Sequence, residues 1–258
     1  MDLFIKNKQG QKIAVKVEGE NNTKGPVFIL HGMWTNMDRP TGNNIAEACV
    51  KSGYTAVRFD ARNHRGKSDG RPEDATITEF YQDLKEVINW GSQQTWYKEP
   101  FILAGSSLGG ITAGLYAEDY PKRVKALFLL SPVVSGELNL SAKAATDPES
   151  IKIWKTQGVQ EREFNHETGE KKFLPWSHME DKLKYNLLPK AHDLTMPVLI
   201  VVGDKDTTCP LEHQKMLFEK LGGKKQLEIM VGAEHGSKDP QHQKFMKDAL
   251  ITWMKEIS

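Results

Sequence analysis

Four stretches of the chain are apolar almost without interruption: "VFIL" at 27–30, "FILA" at 101–104, "ALFLL" at 126–130 and "VLIVV" at 198–202. A strand with one wet face alternates apolar and polar residues, so runs without alternation belong to strands covered on both faces, as in a parallel sheet layered between helices. Other short β-branched runs and amphipathic segments of ten or more residues fill the intervals. This reading predicts strands near 2–6, 12–18, 27–30, 55–59, 101–104, 124–130, 197–202 and 226–231, the first two forming a hairpin around "NKQGQ". The expected fold class is α/β: a mostly parallel eight-stranded sheet flanked by helices.

Helices are expected in the gaps. The segment "TITEFYQDLKEVINW" opens with Thr76 three residues before Glu79, a capping-box spacing, and puts Phe80, Leu84, Val87 and Ile88 on one side. Comparable apolar spacing runs through 44–52, 108–120, 211–221 and 241–257; Pro121 stops the second of these and Gly222-Gly223 the third. No internal repeat is visible.

One interval breaks the rhythm. Between "LLSP" at 129–132 and "MPVLIVV" at 196–202 lie about sixty residues, too many for a plain loop. Within it, "EREFNHETGEKKF" reads as a hairpin turning around Glu167, Thr168 and Gly169, and "SHMEDKLKYNLL" as a helix opening with a Ser177/Glu180 capping box. Trp154, Phe164, Phe173, Trp176, Met179 and Tyr185 make the interval richly apolar. The expectation is a cap, residues 133–192, inserted into a core domain formed by 1–132 and 193–258.

Charge and cysteine content narrow the function classes. Lys and Arg number 35 against 34 Asp and Glu, with no basic run longer than a pair, so the chain lacks the electrostatic footprint of a protein that grips nucleic acid or an anionic membrane. The start "MDLFIKNKQGQK" holds no apolar core, and nowhere do eighteen apolar residues run together. A secretion signal and a membrane span are therefore not expected, and a cytoplasmic location is. Cys49 and Cys209 show no metal-ligand or redox spacing and read as buried thiols. Oligomeric state is not legible.

The chemistry concentrates around Gly105-Ser106-Ser107-Leu108-Gly109, a G-x-S-x-G pattern with a buried strand before it and a helix after it. Ser107 then occupies a tight strand-to-helix turn, and the two glycines make room for the neighbouring chain. Ser106 is an alternative nucleophile by proximity alone; the symmetry of the pattern favours Ser107. A serine hydroxyl needs a base to take its proton and an acid to orient that base. "GDKDTTCP" after the seventh strand supplies Asp206, with Asp204 as the competing carboxylate better suited to capping the turn, and "GAEHGSKDP" after the eighth supplies His235. An oxyanion hole needs backbone N–H donors already in place; "HGMW" after the third strand and the residue following the nucleophile assign these to Met33 and Leu108. His31 is read as a brace for that loop, and His64, His166, His178, His192, His213 and His242 as solvated or locally bonded, since none shows a metal-ligand spacing. Neither metal nor organic cofactor is expected.

With "VFILHG", "GSSLGG", "GDKD" and "EHG" in this order, the chain resembles the α/β-hydrolases over nearly its full length. Within that superfamily, "ILHGMWTNMD", "YTAVRFDARNHRGKSDG", "LLSP" and a cap of this length resemble the intracellular carboxylesterases of the cinnamoyl and feruloyl esterase type. "NMDRPTGNNIAEACVKSGYTAVRFD" together with "GSSLGG" is also similar to acyl-protein thioesterases of the depalmitoylase type. Relatives often read Asp-x-Arg-Gly-x-Gly-x-Ser after the fourth strand; here the stretch from Asp60 to Ser68 is one residue longer and has Asn63 in place of a glycine, which leaves the path of this loop open. The resemblance implies a serine carboxylester hydrolase acting on small or aromatic acyl esters through an acyl-enzyme. Thioester or peptide hydrolysis and a non-catalytic ligand-binding role are the alternatives. Trp34, Trp154 and Trp176 are the candidate pocket walls for a small-molecule ester.

Overall fold

The computed structural model describes residues 3–165 and 168–257. Asp2, expected to begin the first strand, and His166 and Glu167, part of the expected cap hairpin, lie outside the described residues. The chain runs β1 (Leu3–Lys6), β2 (Lys12–Glu18), β3 (Pro26–Leu30), α1 (Pro40–Lys51), β4 (Thr55–Phe59), α2 (Ile77–Gly91), β5 (Phe101–Ser106), α3 (Leu108–Asp119) and β6 (Val124–Leu130). It continues through α4 (Gly136–Thr146), α5 (Pro148–Gln157), β7 (Val159–Asn165), β8 (Glu170–Pro175) and α6 (Ser177–Lys182), then β9 (Val198–Gly203), α7 (Leu211–Lys220), β10 (Lys225–Met230) and α8 (Pro240–Glu256).

Eight strands form one sheet in the order β1-β2-β4-β3-β5-β6-β9-β10. The β1/β2 hairpin is antiparallel and β2 pairs antiparallel with β4; every other pairing is parallel. The strands are those the apolar runs predict because β3, β4 and β9 are buried at every position, leaving no polar-facing side to accommodate. Phe28, Leu103 and Leu127 face one apolar layer with α2 and α3, whereas Val27, Ile102, Phe128 and Leu199 face the other with α1 and α8. Side chains of this size each stabilise the fold by about 1.5–3 kcal/mol on burial, and Phe28 meets Phe101 edge to face at 5.1 Å.

Three local expectations are corrected. Helix α1 starts at Pro40, four residues before the predicted position, because Pro40 at its first position presets the helical φ while Gly42 and Asn43 hide the first turn from an apolar-spacing argument. At α2, Thr76 accepts the Glu79 N–H at 3.1 Å, but the Glu79 carboxylate does not return to the cap; it takes Arg62 Nη2 at 2.7 Å. At α6 the Ser177/Glu180 capping box does not form: Trp176 adopts helical angles, and its carbonyl accepts the N–H groups of Met179 and Glu180 at 2.8 and 3.1 Å. The helix is also short, ending at Lys182.

Between β6 and β9 the chain leaves the sheet. Helices α4 to α6 and the antiparallel β7/β8 ribbon occupy this interval, and Trp154, Leu174, Trp176 and Met179 pack with Trp34 and Ala75 into an apolar cluster of their own. Thr78 at the start of α2 anchors α6, its N–H donating to Asp181 Oδ2 at 3.1 Å. Among the described residues no helix is long and apolar enough to cross a membrane.

Candidate active site

Strand β5 ends at Ser106 and α3 begins at Leu108, which leaves Ser107 alone to reverse the chain at φ 54° and ψ −114°. A positive φ of this kind is costly for a residue with a Cβ and persists only where surrounding bonds enforce it. They do so here: Ser107 N–H donates to the Leu130 carbonyl at 2.9 Å, and the Ser107 carbonyl accepts from Gly110 and Val133 at 3.0 and 3.1 Å. The flanking glycines are steric necessities, since a Cβ at Gly105 would strike the Gly109 carbonyl and one at Gly109 the carbonyl of His31. Gly114, by contrast, clears the Leu187 side chain, 2.8 Å from its notional Cβ, and not the sheet.

Asp206 and His235 follow β9 and β10, at the same edge of the sheet as Ser107. His235 Nδ1 lies 2.7 Å from Asp206 Oδ2, and His235 Nε2 lies 3.0 Å from Ser107 Oγ. The buried Asp206 carboxylate accepts further N–H bonds from Thr208 and Cys209 on Oδ1, at 2.9 and 2.7 Å, so its orientation is fixed from both sides. That arrangement makes Nδ1 the protonated nitrogen and leaves the Nε2 lone pair facing the serine hydroxyl. Asp204 is engaged elsewhere, accepting the Gly232 N–H at 2.7 Å.

The loop after β3 carries Met33, and its N–H, like that of Leu108 at the first turn of α3, has no acceptor among the described residues. Two histidines brace this loop. His31 donates from Nδ1 to the Gly32 carbonyl at 2.7 Å and accepts the Ala61 N–H on Nε2 at 3.0 Å; burial lowers its pKa, so the ring is held neutral. His64 Nδ1 accepts the Trp34 N–H at 2.9 Å, and burial beside His31 and His178 puts its pKa well below the ordinary value. Asp60 completes the brace by accepting the Met37 N–H at 2.8 Å. The path of the loop after β4 is settled by Asn63, which takes φ 66°, while its side-chain oxygen accepts the Arg71 N–H at 3.0 Å. Asparagine tolerates this conformation better than other residues with a Cβ.

A cavity of about 950 Å³ opens onto Ser107 and His235, between the β3 and β4 ends of the sheet and helices α4 to α6 with their ribbon. Trp34 and Trp154 line it; Trp176 does not, because it stacks edge to face behind Trp154 at 5.0 Å. Trp34 is fixed by its ring N–H to the Pro72 carbonyl at 3.0 Å. Buried Cys209 has its thiol pushed far up by desolvation, with the Asp206 charge adding to the effect, so it is an inert packing group. His178 is also locally bonded, Nδ1 to the Ala75 carbonyl at 2.7 Å, and desolvation carries it down to about 3. Among the described residues no group of three or more His, Cys, Asp or Glu is placed to hold a metal ion. The sequence reading did not single out His64 or Asp60 as braces, nor Lys143, Arg162 and Lys182 as cavity residues; no spacing in the chain marks them.

A strained serine between strand and helix, with a histidine and a carboxylate arriving from the ends of later parallel strands, defines an α/β hydrolase. The family model described as alpha/beta hydrolase fold matches residues 25–167, more than half of the sequence, and the chain belongs to that family. Among known proteins it is similar to a monoacylglycerol lipase from Mycolicibacterium smegmatis, 24% identical over 91% of this chain and 89% of the relative. It is also similar to the mitochondrial palmitoyl-protein thioesterase ABHD10 of Rattus norvegicus, 26% identical over 84% of this chain and 70% of the relative. The fold matches that of Est1E from Butyrivibrio proteoclasticus, solved with ferulic acid bound, at a TM-score of 0.83 and 23% identity over 98% of each chain.

Proposed function

We propose that the protein is a serine carboxylester hydrolase working through an acyl-enzyme, with the segment 133–192 as the cap over its site. The observation that carries this reading is the unbroken hydrogen-bonded line from Asp206 through His235 to Ser107, which ends on a cavity large enough for a small ester. In this mechanism Ser107 Oγ attacks the acyl carbon and its proton passes to His235 Nε2. The carbonyl oxygen takes up the negative charge and is met by the N–H groups of Met33 and Leu108, donors that need no reorganisation. Collapse of the tetrahedral intermediate releases the alcohol, which takes the proton back from Nε2. Water then enters, loses its proton to the same nitrogen and frees the acid, while Asp206 holds the imidazole and stabilises its charged form throughout.

The acyl group and leaving group are proposed from similarity. The Est1E fold and the cavity size support small or aromatic acyl esters of the feruloyl type. A thioester is the second reading, supported by the similarity to the palmitoyl-protein thioesterase; the machinery is the same, since a thiolate leaves more readily than an alkoxide. The test is kcat/KM for p-nitrophenyl butyrate, methyl ferulate and an S-acyl peptide, measured with the native chain and with Ser107→Ala. Native turnover that falls by at least ~10⁴-fold in the variant is expected. Turnover equal in the two proteins excludes Ser107 as the nucleophile.

A further inference from the structure

The charge of the cavity does not match that of the chain. The sequence as a whole carries +1, yet seven of the side chains lining the cavity are Lys or Arg and a single one, Glu163, is acidic. Arg58 is neutralised by Glu18, Nη2 to Oε2 at 2.6 Å. Three others are contributed by the interval between β6 and β9: Lys143 from α4, Arg162 from β7 and Lys182 from the end of α6.

None of these three makes an ion pair among the described residues. Lys182 is only 4% exposed, and the one hydrogen bond its ammonium makes among the described residues goes to a neutral group, Asn139 Oδ1, at 3.1 Å. An ammonium has three donors, so two remain. Lys143 is half-buried, and its side chain donates to no acceptor among the described residues. Arg162 uses Nε on neutral Gln160 Oε1 at 3.0 Å and lies over the Trp154 ring at 5.4 Å, and its terminal nitrogens have no hydrogen-bond acceptor among the described residues. The acids whose charges reach the group are engaged elsewhere: Asp181 accepts from Thr78, and Asp147 accepts the Ser150 N–H at 3.0 Å. Burial depresses Lys182 to about 7, with repulsion from Lys143 and Arg162 adding to it, and Lys143 to about 8, with Arg162 adding to it. Clustered, desolvated cations without direct ion-pair partners work against folding unless an anion joins them. The cluster is tied to the catalytic side of the cavity, because Asn139, which holds Lys182, also donates to the Thr208 carbonyl at 2.9 Å, two residues from Asp206.

We infer that the cavity seats an anionic oxygen group of the substrate, a carboxylate in the simplest case, between Lys143, Lys182 and Arg162. The inference rests on the hydrolase reading of Ser107 and narrows its substrates to esters bearing a negative charge on the acyl or the alcohol part. Charge-assisted hydrogen bonds to buried cations are the strong class of such contacts, and a neutral analogue of the same shape leaves the cations unpaired.

The test uses isosteric pairs. On the acyl side, the p-nitrophenyl hemiester of glutarate is compared with that of glutaramate; on the alcohol side, the butyryl ester of 4-hydroxybenzoate is compared with that of 4-hydroxybenzamide. One pair should show kcat/KM about ten- to hundredfold higher for the anionic member, and Lys182→Met and Lys143→Met should each bring that ratio to within about threefold of one. A ratio at or below one in both pairs, with Ser107-dependent turnover of the neutral esters, overturns the anion site and leaves the hydrolase standing. Absence of Ser107-dependent turnover of all four esters, and of the butyrate, ferulate and S-acyl substrates above, overturns the hydrolase reading. In that event calorimetric titration of Ser107→Ala with glutarate and with glutaramide decides the anion site separately: binding of the dianion alone, lost with Lys182→Met, supports it, and equal or absent binding overturns it.

Discussion

His235 directs Nδ1 at Asp206 Oδ2, 2.7 Å away, and not at Asp204, two residues earlier in the same loop. Asp204 instead accepts the Gly232 N–H from the turn after β10. The two carboxylates therefore separate by experiment. Asp206→Asn should lower kcat by about 10³–10⁴-fold by removing the acceptor that fixes the imidazole tautomer, with little change in unfolding midpoint. Asp204→Ala should leave kcat within about tenfold and cost about 1 kcal/mol of stability, the value of one backbone hydrogen bond. Esterase kinetics and urea melts on both variants read the outcome, and the reverse pattern would exchange their roles.

The strand-to-helix turn at Ser107 predicts a steep steric gradient among glycines that look alike in sequence. Gly105→Ala and Gly109→Ala press a methyl group against backbone carbonyls that cannot move without shifting β3 or α3, and each should cost about 3 kcal/mol or more and abolish activity. Gly114→Ala meets only the Leu187 side chain and should cost about 1 kcal/mol with activity retained. Thermal unfolding of the three variants is the measurement.

A pH effect on stability follows from Glu118. Its Oε1 is buried without a hydrogen-bond partner among the described residues, and desolvation, with the Asp119 and Asp193 charges adding to it against Lys190, lifts its pKa to about 7. A carboxyl whose folded pKa exceeds its unfolded value favours the folded state below the unfolded pKa, and the contribution is lost as pH rises through the folded one. Glu118→Gln should therefore leave stability unchanged near pH 4 and raise it by about 1 kcal/mol at pH 8, after allowance for partial exposure. Urea unfolding at the two pH values checks it; equal effects at both would remove Glu118 as the source.

How much of this was legible in the sequence follows from how local each signal is. The sheet could be read because β3, β5, β6 and β9 are buried on both faces, so each run announces itself alone. The meeting of Ser107, Asp206 and His235 was legible for a topological reason, since turns after parallel strands gather at one edge. Helix caps were less legible: the Ser177/Glu180 spacing is right, yet Trp176 extends the helix and makes that box unnecessary. Trp176 was expected on the pocket wall, but a tryptophan's place depends on which aromatic stands in front of it, here Trp154. The cation cluster had no sequence signature because its members come from α4, β7 and α6, and only the fold brings them together. The brace of His64 on the Trp34 N–H is likewise a contact across 30 positions that no spacing rule marks.

The most direct measurement of the central claim is covalent labelling with a fluorophosphonate, read by mass spectrometry of the intact chain and its peptides. A serine made nucleophilic by a neighbouring imidazole should take up one phosphonyl group, on the peptide holding Ser107, in step with the loss of esterase activity, and His235→Ala should slow labelling by at least about 10²-fold. Labelling confined to Ser106 or to another residue, or full esterase activity in a chain wholly modified at Ser107, would contradict the account.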